Sequence, residues 1–263
     1  MTFSPFDSPI YGALYGDKEV RALFTDSGEV RALLLVEGVL AKVQGDLGLI
    51  PLDSALYIHR ASMECQVDPA GLATGMATDG NPIPALVAAF AKAMEAPEHA
   101  KYIHFEVDAQ DVIDTALTLR LRQYIRLIEA QIAALNSENL QLSSQMLTAL
   151  KPDLLVARTA TGKVSSALAT ALKLGIVTPT TPNARHAVAK LTFALAAITT
   201  ALAESGQGAA PTVVATMAQY NAIQSNLLQQ ALLKKTGVGL ALERMTLAQV
   251  CIATAVALRH AQP

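Results

Sequence analysis

The chain has no tryptophan, and only 5% of its 263 residues are aromatic, so its core has to be built from aliphatic side chains. Cysteine is nearly absent. Cys65 and Cys251 form no paired spacing, which leaves no disulfide framework or cysteine zinc site and suits a reducing compartment. Charge is sparse: 16% of residues carry it and the net is −2, which excludes a basic field for nucleic acid or an anionic membrane. The opening residues lack a basic region followed by an apolar run, so no signal peptide is expected. Every apolar run meets a charge or a turn signal before spanning length, so no membrane segment is expected either. A GxSxG elbow, a P-loop, GxGxxG and HExxH are all missing. His59, His99 and His260 have no carboxylate at ligand spacing, and neither a metal nor a cofactor is expected. These absences leave a cytoplasmic, all-α protein.

Alanine and leucine dominate a composition that is 52% hydrophobic, which favours helices at close contact. Residues 102–150 organise the rest. Asp108 is a good helix N-cap, with Asp111 three residues on. Apolar residues then recur at helical spacing from Val112 and Ile113 to Ile132 and Leu135, and no Pro or Gly intervenes before Pro152. The spacing predicts one helix over at least 111–137, within a rod of about 40 residues and about 60 Å. One small domain cannot cover such a rod, so self-association is expected.

The remaining elements are read in order. Residues 1–17 form an irregular arm. Helices are expected over 18–47, 52–62, 84–94, 153–174, 183–204, 211–235 and 240–260, divided by turn chemistry at 79–84, 177–182 and 205–208. No strand is expected. The domain division is 1–108 for an N-terminal helical domain, 109–235 for the long-helix bundle and 236–263 for a C-terminal helix.

Chemistry-bearing residues are few. His59, His99 and His260 read as solvated side chains, and His186 as a first-turn residue. His104 differs because it stands just before the long helix, where free N–H groups and the helix dipole favour an anion. A donor histidine there suits a carboxylate ligand. A histidine that only packs or caps the loop explains its position equally well.

The opening SPFDSPIYGALYGDKEVRALFTDSGEVRALLLVEGVLAKVQGDLGLIP, DGNPIPALV from Asp79, QDVIDTALTLRLR from Gln110, QYNAIQSNLLQQAL from Gln219 and LERMTLAQV from Leu242 resemble the 3-carboxy-cis,cis-muconate cycloisomerase family of the fumarase/aspartase superfamily. The resemblance implies subunits that pool long helices into one bundle as a dimer or tetramer. It also implies active sites assembled from three regions of three subunits, and a small polycarboxylate ligand. The implied reaction is an intramolecular lyase step, lactonisation, in the protocatechuate branch of aromatic degradation.

The departures from that pattern concern the chemistry. The family's first region reads roughly H-[WF]-G-A-T-S-Q-D, and here it is His104-Phe105-Glu106-Val107-Asp108-Ala109-Gln110-Asp111. His104, Gln110 and Asp111 are kept. Asp108 and Ala109 replace the hydroxyl residues that would hold a substrate carboxylate. Like charges about 4 Å apart at an effective dielectric of about 20 repel by about 4 kcal/mol, roughly a thousandfold in affinity. The second region, T-x-x-Q-x-A-x-P, is not found. The third, a serine loop with M-P-x-K-x-N-P, is replaced by the short link 205–211. The pattern points to a cycloisomerase-like chain of impaired activity. The alternatives are an active lyase or cycloisomerase using His104 with other partners, and a non-catalytic binding or regulatory subunit that pairs with a full-length relative.

Overall fold

A computed structural model describes residues 4–135, 140–158, 162–206, 208–232 and 238–262. Two short helices, α1 (Gly12–Tyr15) and α2 (Lys18–Leu23), open it. The hairpin partners α3 (Asp26–Asp46) and α4 (Leu52–Glu64) follow, then a 3-10 turn at Pro69–Leu72, α5 (Ala73–Asp79), α6 (Ile83–Met94) and α7 (Pro97–Ala100). Next come α8 (Ala109–Leu135), α9 (Gln141–Leu154), β1 (Val156–Ala157), α10 (Gly162–Leu172) and β2 (Gly175–Ile176). The chain closes with α11 (Ala184–Ser205), α12 (Pro211–Leu232) and α13 (Val238–His260). The all-α class is therefore as expected, apart from one pair of two-residue strands.

The chain forms two compact units, each made from separate stretches. One comprises Thr25–Leu121 and Leu155–Thr180. Its core holds Leu33, Leu34, Leu40, Ile58, Phe90 and Val112. Gly38 and Gly45, two turns apart on α3, let α4 approach: a Cβ on Gly38 would lie 1.9 Å from Ser62 Oγ, and one on Gly45 2.3 Å from Ala55 Cβ. The parallel strands β1 and β2 pair Val156 with Gly175 and Ala157 with Ile176. The other unit comprises Met1–Phe24, Arg122–Leu154 and Thr181–Pro263. There α11, α12 and α13 pack on one another and α9 packs on α11. Tyr124 of α8 is fully buried, sets its ring edge-on to Phe24, and donates to the Cys251 carbonyl at 3.3 Å. Burial pushes the Tyr124 phenol and the Cys251 thiol well above their ordinary values.

Several sequence expectations change. The helix over 18–47 is two helices, because Thr25 leaves the helical path and its hydroxyl accepts the Gly28 N–H at 3.1 Å, starting α3 afresh. The long rod is shorter than its periodicity suggests. Residues 111–135 are helical, and 136–137 fall outside the described residues. Lys151 Nζ of α9 lies 2.5 Å from Glu129 Oε1 of α8. Twenty-two residues of unbroken helix would separate them by about 33 Å, so α9 runs back along α8 instead of prolonging it. The helix expected from 153 is interrupted by β1 and resumes at Gly162. Two-residue strands carry no alternation to read, so the strand pair was missed. A further single turn, α7, stands between α6 and α8, where no helix was expected.

Helices α11 and α13 are apolar and long enough to cross a bilayer, with mean hydropathies of 1.5 and 1.4, unlike the sequence expectation. Within the protein 61% of each such window is buried, and the two helices pack on each other. Residues 206–210 separate α11 from α12, and residue 207 lies outside the described residues. Gly206 ends α11 at φ +62, and Gly208, at φ +105, would place a Cβ 2.3 Å from the His260 carbonyl oxygen. The Ala209 N–H donates to the Gln262 carbonyl at 3.3 Å. Gly208→Ala is expected to cost about 2 kcal/mol or more, lowering the melting temperature by roughly 4–8 °C. Calorimetry showing an unchanged melting temperature would contradict this packing.

Candidate functional site

The first candidate region is the loop that feeds α8. Two of its residues, His104 at φ +58 and Glu106 at φ +47, hold the left-handed backbone region that only glycine enters without strain. Two polar side chains of α3 clamp that loop. Gln44 donates its Nε2–H to the Phe105 carbonyl at 2.7 Å, and Glu37 Oε1 lies 2.7 Å from His104 Nδ1. Gln44 and Glu37 are one helical stripe apart, seven residues, and are 3% and 1% exposed. The second oxygen of Glu37 is buried without a hydrogen-bond partner among the described residues.

The helix start is satisfied from within. Asp108 Oδ1 accepts the Gln110 N–H at 2.7 Å, as the sequence expected of an N-cap. Ala109 is the first helical residue and contributes no polar side-chain group. Gln110 turns its amide to Asp114 Oδ1 at 2.8 Å. Burial, then the charges of Asp108 and Asp114, holds the Asp111 carboxyl above its ordinary value, with Arg158 opposing. Arg158 is fixed through its backbone: its N–H donates to Thr115 Oγ1 at 3.0 Å, and that hydroxyl donates to the Arg158 carbonyl at 3.1 Å.

His104, Asp108, Ala109, Gln110 and Asp111 thus form one segment at the start of α8, within a single compact unit. Sequence reading missed Glu37, Gln44 and Arg158. Glu37 and Gln44 were detectable: with Leu33 and Leu40 they occupy one face of α3, where apolar residues belong. Arg158 left no such signal, because the chain near β1 has no periodicity. Of the other histidines, His99 stacks on Tyr57 with centroids 4.7 Å apart and shares a hydrogen bond with Ser54 at 3.0 Å. His260 Nε2 meets the Leu14 carbonyl at 3.0 Å. Both are thus more engaged than the solvated side chains expected.

Glu106 stands where the resembling family carries glycine, and its φ supplies the reason. Glu106→Gly is expected to relieve about 1 kcal/mol and raise the melting temperature by roughly 2–4 °C; a lower value would contradict it. Between the ordinary and raised values of Asp111, the folded chain holds its proton more tightly than the unfolded chain. Ionised Asp111 therefore costs stability above that window, and the cost disappears as pH falls through it. Asp111→Asn should be more stable than the parent in urea at pH 7, by a margin that shrinks in acid. An unchanging margin would contradict this.

No family model matches the chain. It is 33% identical over 128 residues to the 3-carboxy-cis,cis-muconate cycloisomerase of Pseudomonas putida, covering 48% of this chain and 30% of that enzyme. Adenylosuccinate lyase of Methanocaldococcus jannaschii is 30% identical over 121 residues, covering 46% and 26%. The matches therefore span less than a third of these relatives. Among solved structures, the 3-carboxy-cis,cis-muconate lactonizing enzyme from P. putida superposes with a TM-score of 0.86 at 23% identity, covering 97% of this chain and 76% of that one. The fumarate lyase from Mesorhizobium sp. BNC1 gives 0.85 at 21%, covering 96% and 75%. The chain shares the fold of the muconate lactonizing enzymes and fumarate lyases over nearly all its length, and over about half of it is related in sequence to 3-carboxy-cis,cis-muconate cycloisomerase.

Proposed function

We propose that the chain is a 3-carboxy-cis,cis-muconate cycloisomerase-like protein of aromatic degradation whose own turnover of that substrate is impaired. The carrying observation is the start of α8, where the Asp108 carboxylate occupies the N–H group that a neutral hydroxyl cap would share with a ligand. Asp111 and Asp114 add two further carboxylates within the first two turns. The shortness of the connection supports the same reading: five residues, 206–210, separate α11 from α12, which leaves no length for a serine-bearing loop. General acid–base chemistry on a polycarboxylate then lacks both an anion clamp and the serine base. The place of action is the cytoplasm.

The second reading, an active lyase or cycloisomerase, rests on one observation: the contact of His104 with the buried Glu37 carboxylate, which gives the imidazole a fixed orientation.

The α8 stripe expected to require a partner is buried within the chain itself, from Val112 to Ile132, so self-association is supported instead by apolar side chains left exposed on other long helices of one unit. Leu142, Phe193, Ile223 and Met245 are 70%, 52%, 64% and 67% exposed. The reading is a homo-oligomer, dimer or tetramer, joined through these helices.

Two measurements test the proposal. Incubation with 3-carboxy-cis,cis-muconate should give no lactone above the uncatalysed rate, and the double variant Asp108→Thr/Ala109→Ser should recover little, because groups that act as a unit are not repaired singly. Lactonisation at an ordinary enzymatic rate, abolished by His104→Ala, would establish the active reading instead. Light scattering should give a mass above that of one chain at micromolar concentration; a monomer would refute the shared-helix assembly.

A further inference from the structure

Glu37 is hard to explain as a structural residue. A carboxylate 1% exposed on the apolar face of α3 is costly to bury, and one of its oxygens has no hydrogen-bond partner among the described residues. An aliphatic side chain at that position would pack with Leu33, Leu34 and Leu40 at no such cost. What Glu37 does provide is one directed contact, at 2.7 Å, to His104 Nδ1. The other ring nitrogen makes no hydrogen bond among the described residues, and the His104 side chain is 20% exposed. Gln44, on the same face, holds the Phe105 carbonyl, so α3 fixes the backbone on which that imidazole is carried.

We propose that Glu37 is a positioning residue that sets the tautomer of His104. With the Glu37 carboxylate as acceptor, Nδ1 carries the proton. The Nε2 lone pair is then left bare. A ligand with an acidic hydrogen can transfer its proton to Nε2; the ring becomes imidazolium, the ligand keeps the electron pair, and the Glu37 carboxylate balances the new positive charge. The site therefore suits a ligand that gives up or shares a proton at this point. This role is independent of whether the chain turns over 3-carboxy-cis,cis-muconate, and its test reads the ring itself.

The test uses the full chain with 15N-labelled histidine, and long-range proton–nitrogen correlation spectra recorded at pH 8.5. His104 is assigned among the five histidines by the signal lost in His104→Asn. The expected result is a neutral ring protonated at Nδ1. Glu37→Gln keeps an acceptor oxygen and should retain that tautomer, whereas Glu37→Met removes the acceptor and should shift the ring to the Nε2–H form. Circular dichroism reports whether each variant folds. A wild-type ring protonated at Nε2, or at both nitrogens, overturns the proposal without any variant. A folded Glu37→Met protein that keeps the Nδ1–H form overturns it as well.

Discussion

The start of α8 has to satisfy its free N–H groups, and here the chain does so with its own carboxylate. Asp108 caps the helix at 2.7 Å, Gln110 turns inward to Asp114, and Asp111 sits between the two acids with its carboxyl held up. A helix N-terminus attracts an anion because its N–H groups and dipole are uncompensated. With the Asp108 carboxylate already on the Gln110 N–H, an incoming carboxylate would meet negative charge there under the proposed reading. The preceding loop belongs to the same arrangement. His104 and Glu106 hold strained backbone angles, and Gln44 and Glu37 of α3 grip the segment between them.

Strain of this kind persists where surrounding packing overrules it. The tight contact of α3 with α4, made possible by Gly38 and Gly45, gives α3 a rigid seat. From that seat it presents two buried polar side chains to the loop. Glu106 holds a left-handed backbone angle at the position where the resembling pattern has glycine, the residue that adopts that angle without strain.

The sequence made the helical class legible, because apolar spacing over α3, α8, α11 and α13 is long and regular. The cap was legible too: Asp108 accepts the Gln110 N–H, as expected of it. Breaks were harder. Thr25 restarts a helix inside an unbroken apolar stripe, and the return of α9 along α8, seen in the Lys151–Glu129 contact, has no proline or glycine to mark it in the sequence. The candidate segment 104–111 could be named from the sequence because its residues are contiguous. Its supports were not named: Glu37 lies 67 positions before His104, and Arg158 lies 43 after Thr115. Neither distance can be read from local periodicity.

The most direct test is calorimetric titration of 3-carboxy-cis,cis-muconate into the wild-type chain and into Asp108→Thr. If the Asp108 carboxylate excludes a polycarboxylate, the wild type binds no tighter than about 1 mM, and the variant binds at least about tenfold more tightly, whether or not turnover returns. Equal affinities for the two proteins, or micromolar binding by the wild type, would contradict it.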